Sequence, residues 1–131
     1  MSFKAKFKVG GKEYNVLNCS YGLMQETDAT GRPSSVTRGG IITIEVESTA
    51  DTGLSDWMFN NFEMRSGSVV FLKRDTEATA KELVFTDAYA VKYKENFDAS
   101  GTNPMVETLT ISAREIGVGN GEHINEWVWA K

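Results

Sequence analysis

The sequence predicts a mainly β fold, an antiparallel β-barrel or sandwich of about 7–8 strands with one α-helix. Three observations carry that expectation. Apolar and polar residues alternate with a period of two through most of the chain, the pattern of strands with one buried face. Turn formers separate the alternating runs, among them Gly10-Gly11, Ser100-Gly101 and Asn103-Pro104. Only residues 49–65 switch to a spacing of three and four.

Phe3, Ala5, Phe7 and Val9 share one strand face, and Lys4, Lys6 and Lys8 share the other. Gly10-Gly11 makes the hairpin turn that follows, since glycine reaches the positive φ angles such turns demand. Tyr14, Val16 and Asn18 continue the return strand opposite Glu13, Asn15 and Leu17. Residues 20–26 are expected to form a third strand, with Tyr21 and Leu23 on one face. Ile42, Ile44 and Val46 alternate with Thr43, Glu45 and Glu47 in the next. In the helical stretch, Asp51 or Thr52 supplies an N-cap oxygen for the free amides of the first turn. Leu54, Trp57, Met58, Phe62 and Met64 form its apolar stripe, widened by Phe59, and Ser66-Gly67 ends it. Such an aromatic and methionine stripe reads as core rather than as a cofactor site.

Residues 68–74 carry apolar groups on both faces (Val69, Val70, Phe71, Leu72), the mark of a central strand. A polar turn at 75–81 leads to a long strand on which Leu83, Phe85, Tyr89, Val91 and Tyr93 alternate, interrupted by Asp87. A hairpin loop at 98–104 follows. Leu109, Ile111 and Ala113 then alternate with Thr108, Thr110, Ser112 and Arg114. The tail, GVGNGEHINEWVWAK, places Trp127 and Trp129 on one side if it is extended. Leaving them in water costs roughly 1.5–3 kcal/mol each. They close the barrel of their own chain or bury against a partner.

One loop resists all these patterns. ATGRPSSVTRGG (29–40) has no helical period, is punctuated by Gly31, Pro33, Gly39 and Gly40, and runs into the strand IITIEVES (41–48). Arg32 and Arg38 bracket it, and Val36 is its sizeable aliphatic group. Unstructured loops of this length in a small domain tend to be functional or disordered. It is either a solvated connector or an arm that reaches a neighbouring copy. The second reading makes Thr30, Arg32, Pro33, Val36, Thr37 and Arg38 subunit-contact residues, joined by Trp127 and Trp129 if the tail buries against a partner.

At 131 residues and 40% hydrophobic content the chain has the material for one domain, 1–131, with a sizeable core. A net charge of −4 argues against nucleic acid as a main partner, and no apolar run suits a membrane span or a secretory signal. Cys19 is single, which rules out an intrachain disulfide, and its place in an alternating run suits a small core residue. His123 is the sole histidine and lies in the glycine-rich tail. A catalytic triad therefore has no convincing base, and a structural zinc set has no ligands. Gly117, Gly119 and Gly121 imitate part of a dinucleotide fingerprint, but no strand-to-helix turn follows. The expectation is no enzyme, no catalytic residue, no metal and no cofactor.

Four segments, KEYNVLNCSYGLMQETDATGRPSSVTRGG (12–40), VESTADTGLSDWMFNNF (46–62), SVVFLKRD (68–75) and YKENFDASGTNPMVETLTISAREI (93–116), resemble the haemolysin-coregulated protein family, also called TssD. The likeness is to its divergent, short-tailed members and spans nearly the whole chain. These proteins form the inner tube of the type VI secretion system. The resemblance implies a phage tail tube-like barrel that closes into hexameric rings, which stack and are expelled when a contractile sheath shortens. It implies sheath, spike and effector proteins as partners, with effectors held in the lumen. It also implies assembly in the cytoplasm and secretion through the apparatus without a signal peptide. The loop that the family uses between subunits falls on residues 27–40. For the lumen wall, the polar face of Thr108, Thr110 and Ser112 is the candidate. Two other readings remain: a phage-like tail tube subunit, and a monomeric barrel holding a small ligand. The bulky groups expected to point inward (Phe3, Phe7, Phe71, Phe85, Tyr89) oppose the latter, because they fill a small barrel.

Overall fold

The structure, a computed structural model, describes residues 3–125 and 127. Its elements are β1 (Phe3–Val9), β2 (Lys12–Tyr21), β3 (Ile41–Glu47), α1 (Gly53–Phe59), β4 (Met64–Lys73), β5 (Thr79–Phe97), β6 (Met105–Val118) and β7 (Gly121–Ile124). All the pairings between these strands are antiparallel. The sheet order is β3-β2-β1-β4-β5-β6-β7, and β3 also pairs with β6. Six strands thus close on themselves, and β7 extends the last residues of β6. Closure removes most of the sheet edge that an open arrangement would expose.

The alternation works as expected where one face is buried. Phe7 and Val9 on β1, Ile42, Ile44 and Val46 on β3, and Leu109, Ile111 and Ala113 on β6 all lie in the core. The rings of Tyr14 and Phe85 each stand 6.0 Å from that of Phe7. Two of the bulky groups assigned to the interior lie elsewhere. Phe3 is 47% exposed at the start of β1, and Tyr89 sits opposite Ser112 on the outward face. Phe71 packs only partly against the core. The Gly10-Gly11 turn forms with φ of 61° and 76°, values that favour glycine.

Three expectations need correction. Residues 20–26 do not make a third strand: β2 runs on to Tyr21, and beyond it only isolated bridges join Met24 to Arg38 and Thr27 to Pro33. The run Gln25, Glu26, Thr27, Asp28 has no apolar face to bury, so nothing draws it into the sheet. The helix is shorter than its stripe. It ends at Phe59; Phe62 adopts φ 62° and is 86% exposed, and Met64 already opens β4. Asn60 leaves the helix in an extended conformation, and the Trp57 indole donates to the Glu63 carbonyl at 2.9 Å, folding the chain back beneath the helix. Thr52 occupies the N-cap, but its hydroxyl donates to Asp56 instead of accepting a first-turn amide.

The third correction concerns β5. Leu83 and Phe85 point inward, but the next buried residue is Ala88, and Val91 is 49% exposed. Asp87 takes φ 53°, and the register against β4 slips by one between Arg65 and Gly67. A one-residue slip inverts every side chain beyond it. A second irregularity between Ala90 and Lys92 restores the phase, so that Tyr93 again packs inward.

Candidate assembly surfaces

β3 is flanked by the two longest connections of the barrel, and they leave from its opposite ends. At the Ile41 end, residues 22–40 form an arm that leaves the barrel and returns. Met24 and Arg38 exchange backbone hydrogen bonds at 2.9 and 2.6 Å, and the Ser34 amide donates to the Glu26 carbonyl at 2.7 Å. Asp28 organises the tip: its Oδ1 accepts from the Thr30 amide at 2.9 Å, the Thr30 hydroxyl at 2.7 Å and the Arg32 amide at 3.1 Å. Those bonds, the one from the Thr30 side chain first, hold the Asp28 carboxyl below its ordinary range. The arm is therefore ordered, yet Thr30, Arg32, Pro33, Thr37 and Arg38 are exposed, and Val36 is 80% exposed. Asp28 was missed as a candidate, although an aspartate three residues before Gly31 is a turn signature.

The arm is clasped at its root. Asn125 donates to the carbonyls of Gly39 at 3.1 Å and Ala113 at 2.9 Å, while the Ala113 amide donates to the Gly40 carbonyl at 2.7 Å. Gly40 is buried with φ 103°, and a Cβ there would stand 2.6 Å from the Ala113 oxygen. Just beyond Asn125, the Trp127 ring lies 5.4 Å from that of Tyr89 in the same chain. Trp129 falls outside the described residues.

The outward face of β2, β3, β6 and β5 forms a polar wall. Its rows are level: Asn18, Glu45, Thr108 and Lys94 in one, Ser20, Thr43, Thr110 and Lys92 in the next. Ser112, between Ile41 and Tyr89, begins a third. Thr43 and Thr110 meet hydroxyl to hydroxyl at 3.4 Å. Both sides of this wall are open. Among the described residues, β1 pairs with β2 only as far as Val16, and β4 pairs with β5 only as far as Tyr89. Residues 17–21 and 90–97 therefore have a strand neighbour on one side only.

At the other end of β3 the connection turns inward. Leu54 and Trp57 of α1 are each 1% exposed and plug the barrel, and the Arg65 guanidinium lies 5.4 Å from the Trp57 ring centroid. Glu107 is also buried, at 4% exposed, and is linked to α1 through Tyr93, which bonds both Glu107 and Ser55. Burial raises its carboxyl pKa, Glu95 and Asp51 add to the rise, and hydrogen bonds from Tyr93 and Ser48 oppose it. The alternation that puts Leu109 and Ile111 inward also puts Glu107 inward, so this residue was legible by parity. Tyr14 donates to Asp51, which also pairs with Lys12, and burial foremost raises the tyrosine pKa. Cys19 is half-buried, its thiol pushed up to about 11 by burial. No cluster of potential metal ligands forms among the described residues, and no helix among them is long and apolar enough to cross a membrane.

The family model for hemolysin coregulated protein Hcp (TssD) matches residues 1–128. The solved structure of Hcp1 from Flavobacterium johnsoniae is 62% identical, with a TM-score of 0.90, covering 93% of this chain and 99% of that one. Hcp1 from Salmonella typhimurium is 15% identical with a TM-score of 0.76, each chain covered to 95%, and shows the shared fold. So does the cap of the anti-feeding prophage, at 14% identity and a TM-score of 0.58, covering 91% of this chain and 88% of that one. No curated protein sequence matches.

Proposed function

The chain belongs to the Hcp (TssD) family of type VI secretion tube proteins, and on that premise we propose that its copies close head to tail into hexameric rings whose lumen is lined by the polar wall. The observation that carries this reading is the pair of level, open strand edges flanking the wall. An edge with unpaired amides and carbonyls is a template for another strand. Residues 17–21 of one copy and 90–97 of the next are unlike surfaces, so their pairing is heterologous. Because the rows across the wall are level, each added copy sits at the same height, which favours a closed ring over an open helix.

In this arrangement Thr108, Thr110 and Ser112 face the lumen and touch whatever effector it holds. The arm, with Thr30, Arg32, Pro33, Val36, Thr37 and Arg38, reaches an adjacent copy, Trp127 supports that contact near its root, and Trp129 is expected to join it. The rings stack into a tube within a sheath and below a spike, and leave the cell when the sheath contracts. The role is structural and involves no bond-making chemistry. An interior ligand is the weaker reading, because Phe7, Phe85 and Trp57 already fill the barrel.

The test is a cysteine pair at the two edges, Asn18→Cys with Lys94→Cys, in a Cys19→Ser background. Within one chain these positions are separated by β3 and β6, three strand spacings or about 14 Å, too far for a disulfide. Oxidation is expected to give a ladder of covalent oligomers ending at six. Oxidised protein that stays monomeric at concentrations where particles sediment as rings contradicts edge pairing.

A further inference from the structure

The wall has two ends, and each carries apolar surface that its own chain does not cover. At the Ile41 end, Tyr21, Leu23, Met24, Arg38 and Ile41 line a groove of about 550 Å³ at the arm root. Leu23 is 55%, Met24 58% and Ile41 51% exposed. At the Glu47 end, β5 and β6 run past the last β3 residue as a hairpin: the Asp98 amide donates to the Pro104 carbonyl at 2.7 Å, and Phe97 and Met105 face each other beneath that tip. Phe97 is 66% and Met105 42% exposed.

Resting on the ring reading above, we propose that successive rings stack by seating the β5–β6 hairpin tip of one copy in the arm-root groove of a second copy. Three observations select that occupant. β6 pairs with β3 along the whole of β3, so groove and tip lie at opposite ends of one wall. A shift along the strand direction, with a turn about the ring axis of about two strand spacings or roughly 10 Å, brings tip onto groove. Both surfaces are apolar at the centre, so contact removes Phe97 and Met105 from water together with Leu23 and Met24. Their charges are opposite. Arg38 borders the groove and has only a 3.7 Å ion pair with Glu26, while the Arg32 guanidinium makes no ion pair among the described residues. The tip presents Asp98, whose carboxyl is held below its ordinary range by bonds from the Ser100 side chain and amide and still has open acceptor positions. The contact is heterologous and does not close, so it extends without limit along the tube.

The experiment uses the full chain and two readouts: sedimentation to count copies per ring, and negative-stain images at high concentration to count stacked rings. Asp98→Arg, which would face Arg38, and Met24→Asp, which would set an acid against Asp98, are each expected to leave ring sedimentation unchanged and to cut the fraction of stacked rings at least about tenfold, the effect of placing like charges in contact. The double variant restores an opposite pair and is expected to recover stacking. Met105→Ser is expected to leave ring sedimentation unchanged and to unstack rings without recovery. Single variants that stack like the unsubstituted protein, or a double variant no better than the singles, overturn the inference while leaving the ring reading intact. Unsubstituted rings that never stack do the same. Absence of rings in the unsubstituted protein overturns the ring reading itself, and this inference with it.

Discussion

The arm and the helical plug are the two long connections of β3, and they are stabilised in opposite ways. The plug spends little on local structure: α1 is one short helix, and its N-cap side chain bonds Asp56 rather than a free amide. It is held by burying Leu54 and Trp57 in the barrel. The arm buries almost nothing and is held by backbone pairs and by the Asp28 carboxylate. A segment kept in shape without burial contributes little to the stability of its own chain. Its order has a use only if another surface meets it, and here the comparison passes from folding to assembly.

The sharpest way to break the comparison is Trp57→Ala. Removing a large, fully buried aromatic is expected to cost about 3–5 kcal/mol, read as a lower urea midpoint. A loss comparable to a surface substitution would mean that α1 is not the plug. Gly40→Ala probes the root where arm meets barrel. With φ at 103° and the Ala113 oxygen 2.6 Å from the new Cβ, it is expected to cost about 1–3 kcal/mol, by the same titration.

Glu107 tests the plug through pH. Its pKa is raised in the folded state above the ordinary value of 4.5, so the fold favours the protonated acid. The stabilisation is complete below the unfolded value and is lost as pH rises through the folded one. Melting temperatures of the parent protein should therefore fall over that window relative to Glu107→Gln. Parallel curves would mean the carboxyl is not buried as described. The smallest expected effect belongs to the arm: Asp28→Ala should leave the urea midpoint where other surface substitutions leave it, while the Thr30 and Arg32 amides exchange hydrogen several-fold faster. Unchanged exchange would release Asp28 from its role at the tip.

How much of this was legible in the sequence follows from where burial, rather than a local bond, decides the conformation. Apart from Phe3 at the exposed start of β1, the alternation in β1, β3 and β6 predicted the inward residues correctly because each strand keeps one phase over most of its length. It failed on β5, since a polar residue at positive φ, Asp87, shifts the phase and pattern matching has no term for that event. The helix was overextended because Phe59 and Phe62 fit a helical stripe, although they are 82% and 86% exposed. The arm was visible as an anomaly in composition, but its internal order was not, because it rests on backbone pairs that any sequence of small polar residues permits. The open edges of the wall depend on where β1 and β4 stop pairing, which one strand read alone does not reveal.

The central claim is that copies of this barrel join through unlike surfaces, with the arm serving assembly and not the fold. Negative-stain imaging of the full chain beside a variant lacking residues 29–38 tests it most directly. The account predicts annuli of uniform diameter for the full chain, and solitary particles of unchanged β content for the variant. Solitary particles from the full chain across micromolar concentrations, or annuli formed equally well without the arm, would contradict it.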